Sequence, residues 1–237
     1  MRRASEFEEY FVHYPIKQSR YSSHYYAQRF VGRGQETLDI GCGEGFFAAE
    51  LVKNGNLVTG VDSLETAHYS EALQEYFSVD LNGPAGSLTR VLGGRKFDRA
   101  LLLDVLEHLI HPENLLAETR ETLNRHGKLI VSVPNVANIT VRLMLLLGKF
   151  DYTERGLLDR THVRFYTRKT ARAMLEQAGY RIVAQRMAVV PIELALGLSP
   201  KAVFFKILNR VAGALTALMP TLFGYQIILV AQSNRNS

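Results

Sequence analysis

Cysteine is almost absent from this chain of 237 residues, in which Cys42 is the only one. A single thiol excludes a disulfide-stapled fold and a cysteine-rich zinc site. No secretory signal is visible, because the first residues, Met-Arg-Arg-Ala, lead into acidic and aromatic residues rather than an apolar stretch. We therefore expect a cytoplasmic protein in which residues 1–237 form a single domain around a large apolar core.

Acidic residues are scarcer than basic ones, with 23 Asp and Glu against 28 Lys and Arg and a formal net charge of +5. The excess is concentrated between Arg155 and Arg186, where eight basic residues stand against two acidic ones. This pattern fits either a solvated helix face or a surface for an anionic substrate or membrane. No nucleic-acid-binding motif accompanies these residues, so we expect no nucleic-acid partner.

Three glycines stand at every second position in one short turn. Residues 38–45 read Leu-Asp-Ile-Gly-Cys-Gly-Glu-Gly, and residues 58–62, Val-Thr-Gly-Val-Asp, form a second apolar run that ends in an acid. The pattern predicts a strand, a tight turn whose bare backbone faces a ligand, a helix and a second strand. Asp62 at the end of that strand suits a ribose, because a carboxylate accepts hydrogen bonds from two hydroxyls. These features are typical of a nucleoside-cofactor site.

Two cofactors are compatible with this turn. The spacing from Gly43 to Ala48 satisfies the dinucleotide fingerprint G-x-G-x-x-G/A, which favours NAD. However, Asp39 directly before the glycines would repel a pyrophosphate and suits a positively charged sulfonium or α-ammonium group. No Tyr-x-x-x-Lys pair, the usual acid of short-chain dehydrogenases, occurs in the chain. The residues thus favour S-adenosylmethionine (SAM), with an NAD-dependent oxidoreductase as the alternative.

Strand and helix patterns alternate along the chain. Predicted strands cover residues 37–40, 57–61, 78–81, 97–103, 128–133, 180–190 and 224–231. Predicted helices cover 44–54, 71–77, 112–124 and 168–177, after an amino-terminal helical segment within residues 1–34. This alternation predicts an α/β fold with a Rossmann-like, seven-stranded, mostly parallel sheet and helices on both faces. Asp39, Asp62 and Asp80 all lie at carboxyl ends of strands, where such sheets bind ligands.

Two segments leave the sheet and are predicted to form cap insertions for the substrate, residues 135–166 after strand five and 191–220 after strand six. Within the second, an apolar stripe at helical spacing runs along residues 201–219: Phe204, Leu208, Val211, Leu215 and Leu218. A cap helix packed on the domain and a basic amphipathic helix on an anionic membrane both explain the stripe. Residues 139–147 are a second apolar segment. Pro220, Gly224 and Gln226 argue against a membrane-spanning helix over residues 211–231.

Several motifs carry a family resemblance. Residues 38–45 closely resemble the first signature of class I SAM-dependent methyltransferases. Residues 104–108, Asp-Val-Leu-Glu-His, resemble the ubiquinone-pathway O-methyltransferases, and residues 133–136, 148–152 and 157–167 resemble a bacterial branch of the same superfamily. Members of that branch often accompany genes for the modification of cell-surface glycans or lipids. The resemblance covers about residues 25–190.

The resemblance implies SAM as the cofactor and assigns the residues around it. The methionine part would lie against Asp39, Gly41, Gly43 and Gly45, with Cys42 a small residue within the turn. The ribose would bind Asp62, the adenine edge Asp80 and Leu81, and Asp104 would face the methyl donor and the acceptor. The implied activity is methyl transfer to an oxygen, less expectedly a carbon or nitrogen, of a small-molecule, glycan or lipid-linked acceptor.

A hydroxyl acceptor requires a base, and histidine titrates near neutral pH. His108 is the first candidate and His162 the second, although each also suits a structural role. Arg160 and Arg164 are candidates for binding a carboxylate or phosphate of the acceptor. We expect no metal site at His108 and His111, because Pro112 and the apolar residues between them favour a helix entrance. A non-catalytic SAM-fold partner protein and peripheral membrane contact through 201–219, at the inner face of the membrane, remain alternatives.

Overall fold

The computed structural model describes residues 20–189 and 203–234. The predicted amino-terminal segment therefore lies largely outside the described residues, as do residues 191–202 of the second excursion. The first described helix, α1 (Ser23–Val31), begins after Ser22, whose hydroxyl accepts a hydrogen bond from the backbone N–H of Tyr25. This side-chain cap replaces one of the hydrogen bonds that the first turn of a helix lacks.

The described residues form one seven-stranded sheet, which confirms the predicted fold class. Its strands run in the order β3-β2-β1-β4-β5-β7-β6. Neighbours among the first five strands are parallel, and β7 is antiparallel to both β5 and β6. The strands are β1 (Glu36–Ile40), β2 (Leu57–Asp62), β3 (Glu75–Ser78), β4 (Phe97–Leu103), β5 (Leu123–Pro134), β6 (Tyr180–Ala188) and β7 (Gln226–Ser233).

Helices cover both faces of the sheet. They are α2 (Phe46–Lys53), α3 (Ser87–Leu92), α4 (Pro112–Thr122), α5 (Ile139–Leu146), α6 (Arg168–Gln177), α7 (Val203–Leu218) and α8 (Pro220–Phe223). One core cluster joins the sheet to α3, α4 and α6, and a second joins its other face to α1 and α2. Because both faces are covered, the central strands are buried along most of their length, as in β1 from Thr37 to Ile40 and in β4 from Ala100 to Leu102.

Several predicted boundaries were wrong, and the strand expected over residues 78–81 lies earlier, at Glu75–Ser78. The helix expected over residues 71–77 is a 3₁₀ turn at Ser70–Ala72 followed by β3 (Glu75–Ser78). Residues 75–78 adopt an extended conformation because they pair in parallel with residues 59–62 of β2. This tertiary pairing overrides the local helical pattern. Helix α4 also ends at Thr122, earlier than expected, because β5 already begins at Leu123.

The first cap insertion, residues 135–166, is held in place by hydrogen bonds to backbone carbonyl oxygens elsewhere in the fold. The Asn135 and Asn138 side-chain amides both donate to the carbonyl oxygen of Gly224, at 2.8 and 2.9 Å. The backbone N–H groups of Val163 and Arg164 donate to the carbonyl of Glu107. A small apolar cluster around Val141, Leu157 and Leu158 fills the interior of the cap. The insertion is thereby fixed over the end of β4.

Helix α7 turns three residues of its predicted apolar stripe outward, whereas Leu208 of the same stripe is half-buried. Val211, Leu215 and Leu218 are 51%, 39% and 78% exposed, whereas Thr216 is buried. At Gly213, an added Cβ would lie 2.7 Å from the ring of Tyr21, so this side of the helix faces the domain. Of the two explanations left open for the stripe, packing on the domain does not hold for these three residues. Among the described residues, no helix combines the length and the apolar character that crossing a bilayer requires.

Candidate functional site

The glycine turn between β1 and α2 has positive φ angles, which residues with a side chain rarely adopt. Gly41 has φ +74°, and a Cβ there would lie 2.4 Å from Cγ2 of Val105. Gly43 has φ +54°, and a Cβ there would meet no heavy atom within 4 Å. Side chains rarely adopt such positive φ values. The turn is therefore closely packed beneath Gly41 and open to a ligand beside Gly43.

Asp62 joins this turn to the end of β2. Its Oδ2 accepts a hydrogen bond from the backbone N–H of Gly43 at 2.7 Å, and its Oδ1 accepts one from Leu64 at 3.2 Å. A carboxylate has about four acceptor positions, so these bonds leave capacity for ribose hydroxyls. The predicted ribose acid and the predicted turn are thus brought together.

Asp39 is the buried acid of the site, with 3% of its surface exposed. Burial, followed by the nearby charge of Asp62, raises the pKa of Asp39 to about 7. Both causes disfavour the carboxylate form, and a cation placed beside the pair would favour it. Two acids in one partly enclosed place suit a positively charged ligand better than a pyrophosphate.

Cys42 fills space within the turn. Burial raises the pKa of its thiol, with smaller contributions from Asp39 and Asp62, so the sulfur stays neutral. A Cβ added at Gly60 of β2 would lie 3.0 Å from its Sγ. A neutral, packed thiol is a poor nucleophile, which agrees with the expectation of a small residue chosen for space.

A cleft beside the ends of β3 and β4 contains Asp80 and Leu81. Its walls are the loop over residues 79–88 and the start of α4. Asn82 joins the loop to the segment before α4, because its Oδ1 accepts from the backbone N–H of Ile110 at 2.9 Å and its Nδ2 donates to the backbone carbonyl of His108 at 3.4 Å. Glu118 fixes the same loop by accepting from the backbone N–H of Gly86 and Leu88. Sequence reasoning missed Asn82 and Glu118, whose partners lie 26 to 32 residues away.

Asp104 stands at the end of β4 in an unusual conformation. Among residues 20–189 and 203–234 it is the one non-glycine residue with a positive φ, +58°. Its Oδ1 accepts from the hydroxyl of Ser132 and its Oδ2 from Nε2 of Gln226, both at 2.6 Å. These bonds tie the ends of β4, β5 and β7 together. Backbone strain of this kind persists where the surroundings over-determine it, commonly at functional sites.

His108 is held by the cap. Its Nδ1 lies 3.2 Å from the carbonyl oxygen and 3.1 Å from the hydroxyl of Thr161, 53 residues along the chain. That hydroxyl itself donates to Oδ1 of Asp159 at 2.7 Å. Because a carbonyl can only accept, Nδ1 carries the proton, and the neutral ring has its lone pair on Nε2. Thr161 thereby fixes both the orientation and the tautomer of His108.

His162 lies next to His108, with ring centroids 4.9 Å apart, and is 8% exposed. Its pKa is lowered by burial and, secondarily, by His108. Its Nε2 lies 4.0 Å from Oε1 of the buried Glu107. One ligand atom from each of Glu107, His108 and His162 lies within 4.8 Å of the others. The structure thus gathers both predicted histidines with an acid that was not predicted, and this set differs from the His108–His111 pair considered from the sequence.

The two arginines expected to bind the acceptor have partners within the chain. Arg164 donates from Nε to the carbonyl oxygen of Leu109 at 3.1 Å and from Nη2 to that of Ile110. Arg160 forms an ion pair with Glu154, and both side chains are more than half exposed. Arg164 therefore joins the cap to the segment after β4, whereas Arg160 lies at the cap surface.

These features fit SAM. The open space beside Gly43 accepts an atom chain close to backbone, Asp39 and Asp62 favour positive charge, and Asp80 and Leu81 line a separate cleft across the strand ends. Carboxylates at neighbouring strand ends suit a ligand that carries an ammonium, a sulfonium and a ribose diol.

Comparisons with known proteins agree. Residues 18–185 match the family described as a methyltransferase domain. The chain is 26% identical over 166 residues to the ubiquinone biosynthesis O-methyltransferase of Coxiella burnetii (strain Dugway 5J108-111), covering 67% of this chain and 69% of that protein. It is 28% identical over 175 residues to the enzyme of the same name from Dinoroseobacter shibae, covering 71% and 69%.

Solved structures share the fold. A SAM-dependent methyltransferase from Archaeoglobus fulgidus aligns with a TM-score of 0.59 and 19% identity, covering 97% of this chain and 99% of that one. Magnesium protoporphyrin IX methyltransferase from Synechocystis, with bound SAH, gives 0.57 and 17%, covering 97% and 94%. The NAD-dependent alternative loses its support against this family match. The chain therefore belongs to the methyltransferase-domain family, and it is an enzyme that transfers a methyl group from SAM.

Proposed function

We propose that this enzyme methylates a hydroxyl oxygen of a small, amphiphilic acceptor and that His108 is the base that removes the hydroxyl proton. The observation that carries the proposal is the pair of contacts from Nδ1 of His108 to Thr161. They leave a proton-accepting Nε2 on a ring placed just beyond β4. The relatives named as O-methyltransferases support oxygen as the methylated atom.

The bound cofactor supplies an electrophilic methyl group on a sulfonium. The chain's own residues then have three tasks, namely to hold the cofactor, to align the acceptor and to accept one proton. Asp39 and Asp62 hold the charged and ribose parts, and Asp80 with Leu81 holds the adenine edge. Alignment of two reactants in a bound complex contributes as much as roughly 7–11 kcal/mol to lowering a barrier.

The base must be neutral before it acts. His162 is the more buried of the two histidines, and burial together with His108 lowers its pKa and keeps it neutral. Its own Nδ1 contacts the carbonyl of Leu157 at 3.4 Å, which leaves Nε2 facing Glu107. We assign proton removal to His108. We assign His162 to stabilising the cap, and it is the second candidate for the base.

The same cluster has a second candidate role as a divalent-cation site. Two imidazoles and a carboxylate with ligand atoms within 4.8 Å of one another match common metal ligands. A chelator that abolishes turnover, with recovery on adding Mg²⁺ or Zn²⁺, favours this role. Turnover that persists in chelator favours direct base catalysis by His108.

The acceptor is proposed to be glycan- or lipid-linked, and the enzyme to work at the inner face of the membrane with contact through residues 201–219. The support is the outward-facing apolar stripe of α7, at Val211, Leu215 and Leu218. A lipid-linked acceptor would bring the enzyme to a membrane surface, which these exposed apolar residues could contact. A non-catalytic partner role remains the alternative, and it predicts SAM binding without any methylated product.

The test has two parts. Calorimetry should show that the chain binds SAM and that Asp62→Ala abolishes measurable binding. Lipid and small-molecule extracts of a deletion strain, examined by mass spectrometry, should contain a species lighter by one methyl group, which the purified enzyme converts to the wild-type species. With that acceptor, His108→Ala should lower turnover by roughly a hundredfold or more while leaving SAM affinity unchanged. Unaltered turnover would remove His108 from the mechanism.

A further inference from the structure

Helix α5 of the cap exposes four leucines at its end, which we call the leucine ridge: Leu143, Leu145, Leu146 and Leu147. Their exposed fractions are 52%, 52%, 81% and 72%. Single exposed apolar residues are common on protein surfaces, but a contiguous group of this kind marks an interaction surface. Phe150 and Tyr152, 37% and 55% exposed, continue the apolar surface beyond the turn at Gly148.

The exposure is not caused by an unpacked helix. Val141 is 2% exposed and Met144 packs beside it on the apolar cluster inside the cap. Asn138 caps the helix by accepting from the backbone N–H of Thr140 at 3.0 Å and also donates to Gly224. The orientation of α5 is thus fixed by its buried side, and the ridge is what remains outside.

The ridge is wider than the surface that a single flat partner would cover. With 100° of rotation per residue, its four leucines spread over roughly 200° of the helix circumference, whereas an amphipathic helix packed on one protein surface needs a stripe of about 100°. An apolar surface that wraps around most of a helix suits a medium that surrounds it, as the acyl boundary of a bilayer does.

The charges beside the ridge indicate which lipid headgroups it would contact. Residues 139–150 contain Arg142 and Lys149 and no acid, and α7 contains two basic residues and no acid. Arg142 and Lys149 are both exposed. Asp151 and Glu154 follow the ridge, but Glu154 is paired with Arg160. Basic side chains next to an apolar surface favour anionic lipid headgroups.

We infer that the leucine ridge lies on an anionic lipid surface and seats the cap in the interface. Helix α5 has eight residues and is about 12 Å long, far shorter than a hydrocarbon core of about 30 Å, so it enters one leaflet without crossing it. The surface is distinct from the stripe of α7. The start of α5 lies near the end of α8, because Gly224, which follows α8, accepts hydrogen bonds from both Asn135 and Asn138.

Flotation of the full chain with lipid vesicles tests this inference. We expect the protein to float with vesicles that contain phosphatidylglycerol and to bind much less to vesicles of phosphatidylcholine alone. The double variant L146D/L147D should lose roughly a hundredfold of its binding to the anionic vesicles, since each buried leucine contributes about tenfold. Leu57→Asp is the matched control, because Leu57 is also exposed, at 54%, but lies at the start of β2, at the opposite end of the parallel strands from the cap that follows β5.

Equal flotation of L146D/L147D and the parent, or a parent that binds neither kind of vesicle, would overturn the inference. Light scattering identifies the competing occupant, because a parent dimer that L146D/L147D dissociates, without vesicle binding, would assign the ridge to a second copy of the chain. Calorimetry with SAM on the same variants separates this result from the proposed function. L146D/L147D should bind SAM like the parent, so a loss of flotation with intact SAM binding concerns the ridge alone.

Discussion

The cofactor half and the cap are built by different kinds of contact. Around the proposed cofactor site, most of the contacts are made by backbone groups. The glycine turn, the strand ends and the backbone N–H groups that bond Asp62 all come from residues 39–64. In the cap, side chains reach across the fold to backbone, as when Arg164 bonds Leu109 and Ile110 or Asn138 bonds Gly224.

The difference explains what each half can vary. A turn with positive φ and close packing beneath Gly41 tolerates few substitutions, and we propose that it holds SAM whatever the acceptor is. A cap held by a few side-chain anchors leaves the residues between them free to change, and we propose that these residues adapt to the acceptor. Specificity in such folds is carried by insertions on a fixed sheet.

Substitution at Gly41 tests the rigidity of the cofactor half and should have the largest effect. Gly41→Ala combines a positive φ with a Cβ 2.4 Å from Val105, whereas Gly94→Ala has a positive φ with no atom within 4 Å. We expect Gly41→Ala to cost about 2–5 kcal/mol of the free energy of unfolding and to abolish SAM binding. Gly94→Ala should cost about 1–2 kcal/mol and leave SAM affinity intact. Similar denaturation midpoints for the two variants would show that the turn is not closely packed.

Thr161 tests whether the cap positions the base. Thr161→Val removes the hydroxyl that contacts His108 and Asp159, while its backbone carbonyl remains. We expect turnover to fall by roughly tenfold, with unchanged SAM affinity. Thr161→Ser keeps the hydroxyl and should recover most of the turnover. A serine variant as slow as the valine variant would indicate that the threonine methyl group packs the cap rather than orienting the base.

Asp39 tests the electrostatics of the cofactor half through pH. Its pKa of about 7 in the free protein should fall when a cation binds beside it, because the cation favours the carboxylate. SAM affinity, measured by calorimetry, should therefore decrease as pH falls below 7, by up to about tenfold per pH unit. Asp39→Asn should bind SAM weakly with little dependence on pH. An unchanged pH dependence in Asp39→Asn would assign the effect to another group.

The same pKa makes the stability of the free protein depend on pH in the opposite sense. The ordinary pKa of an aspartate, 3.8, applies to the unfolded chain, and the folded value is raised to about 7. Between these values the folded state retains a proton that the unfolded state has lost, so stability falls as pH rises from about 4 to 7. Chemical denaturation of the free protein should show this fall, and Asp39→Asn should remove most of it.

Much of the cofactor half was predictable because its information is local. The signature at residues 38–45, Asp62 and the strand ends follow one another along the chain, and the structure confirms the sheet that brings them together. The assignment of individual residues to parts of SAM stays a prediction. The contacts of the cap were not predictable, since Thr161 and His108 are 53 residues apart and Asn138 and Gly224 are 86 apart. The helix predicted over residues 71–77 was wrong for a similar reason, because the conformation of residues 75–77 depends on pairing with β2.

Arg160 should give the smallest effect on stability, and it separates binding from support within the cap. Its ion pair with Glu154 is solvent-exposed, so Arg160→Ala should change the free energy of unfolding by less than about 0.5 kcal/mol. Arg164→Ala, the matched variant, leaves the carbonyls of Leu109 and Ile110 without their donors and should cost about 1–3 kcal/mol. If Arg160 binds an anionic group of the acceptor, its loss should raise KM severalfold at unchanged kcat. If Arg160→Ala destabilises the protein as much as Arg164→Ala does, the exposed ion pair between Arg160 and Glu154 is also an anchor of the cap. The surface of the cap would then tolerate fewer substitutions than the small number of buried hydrogen bonds implies.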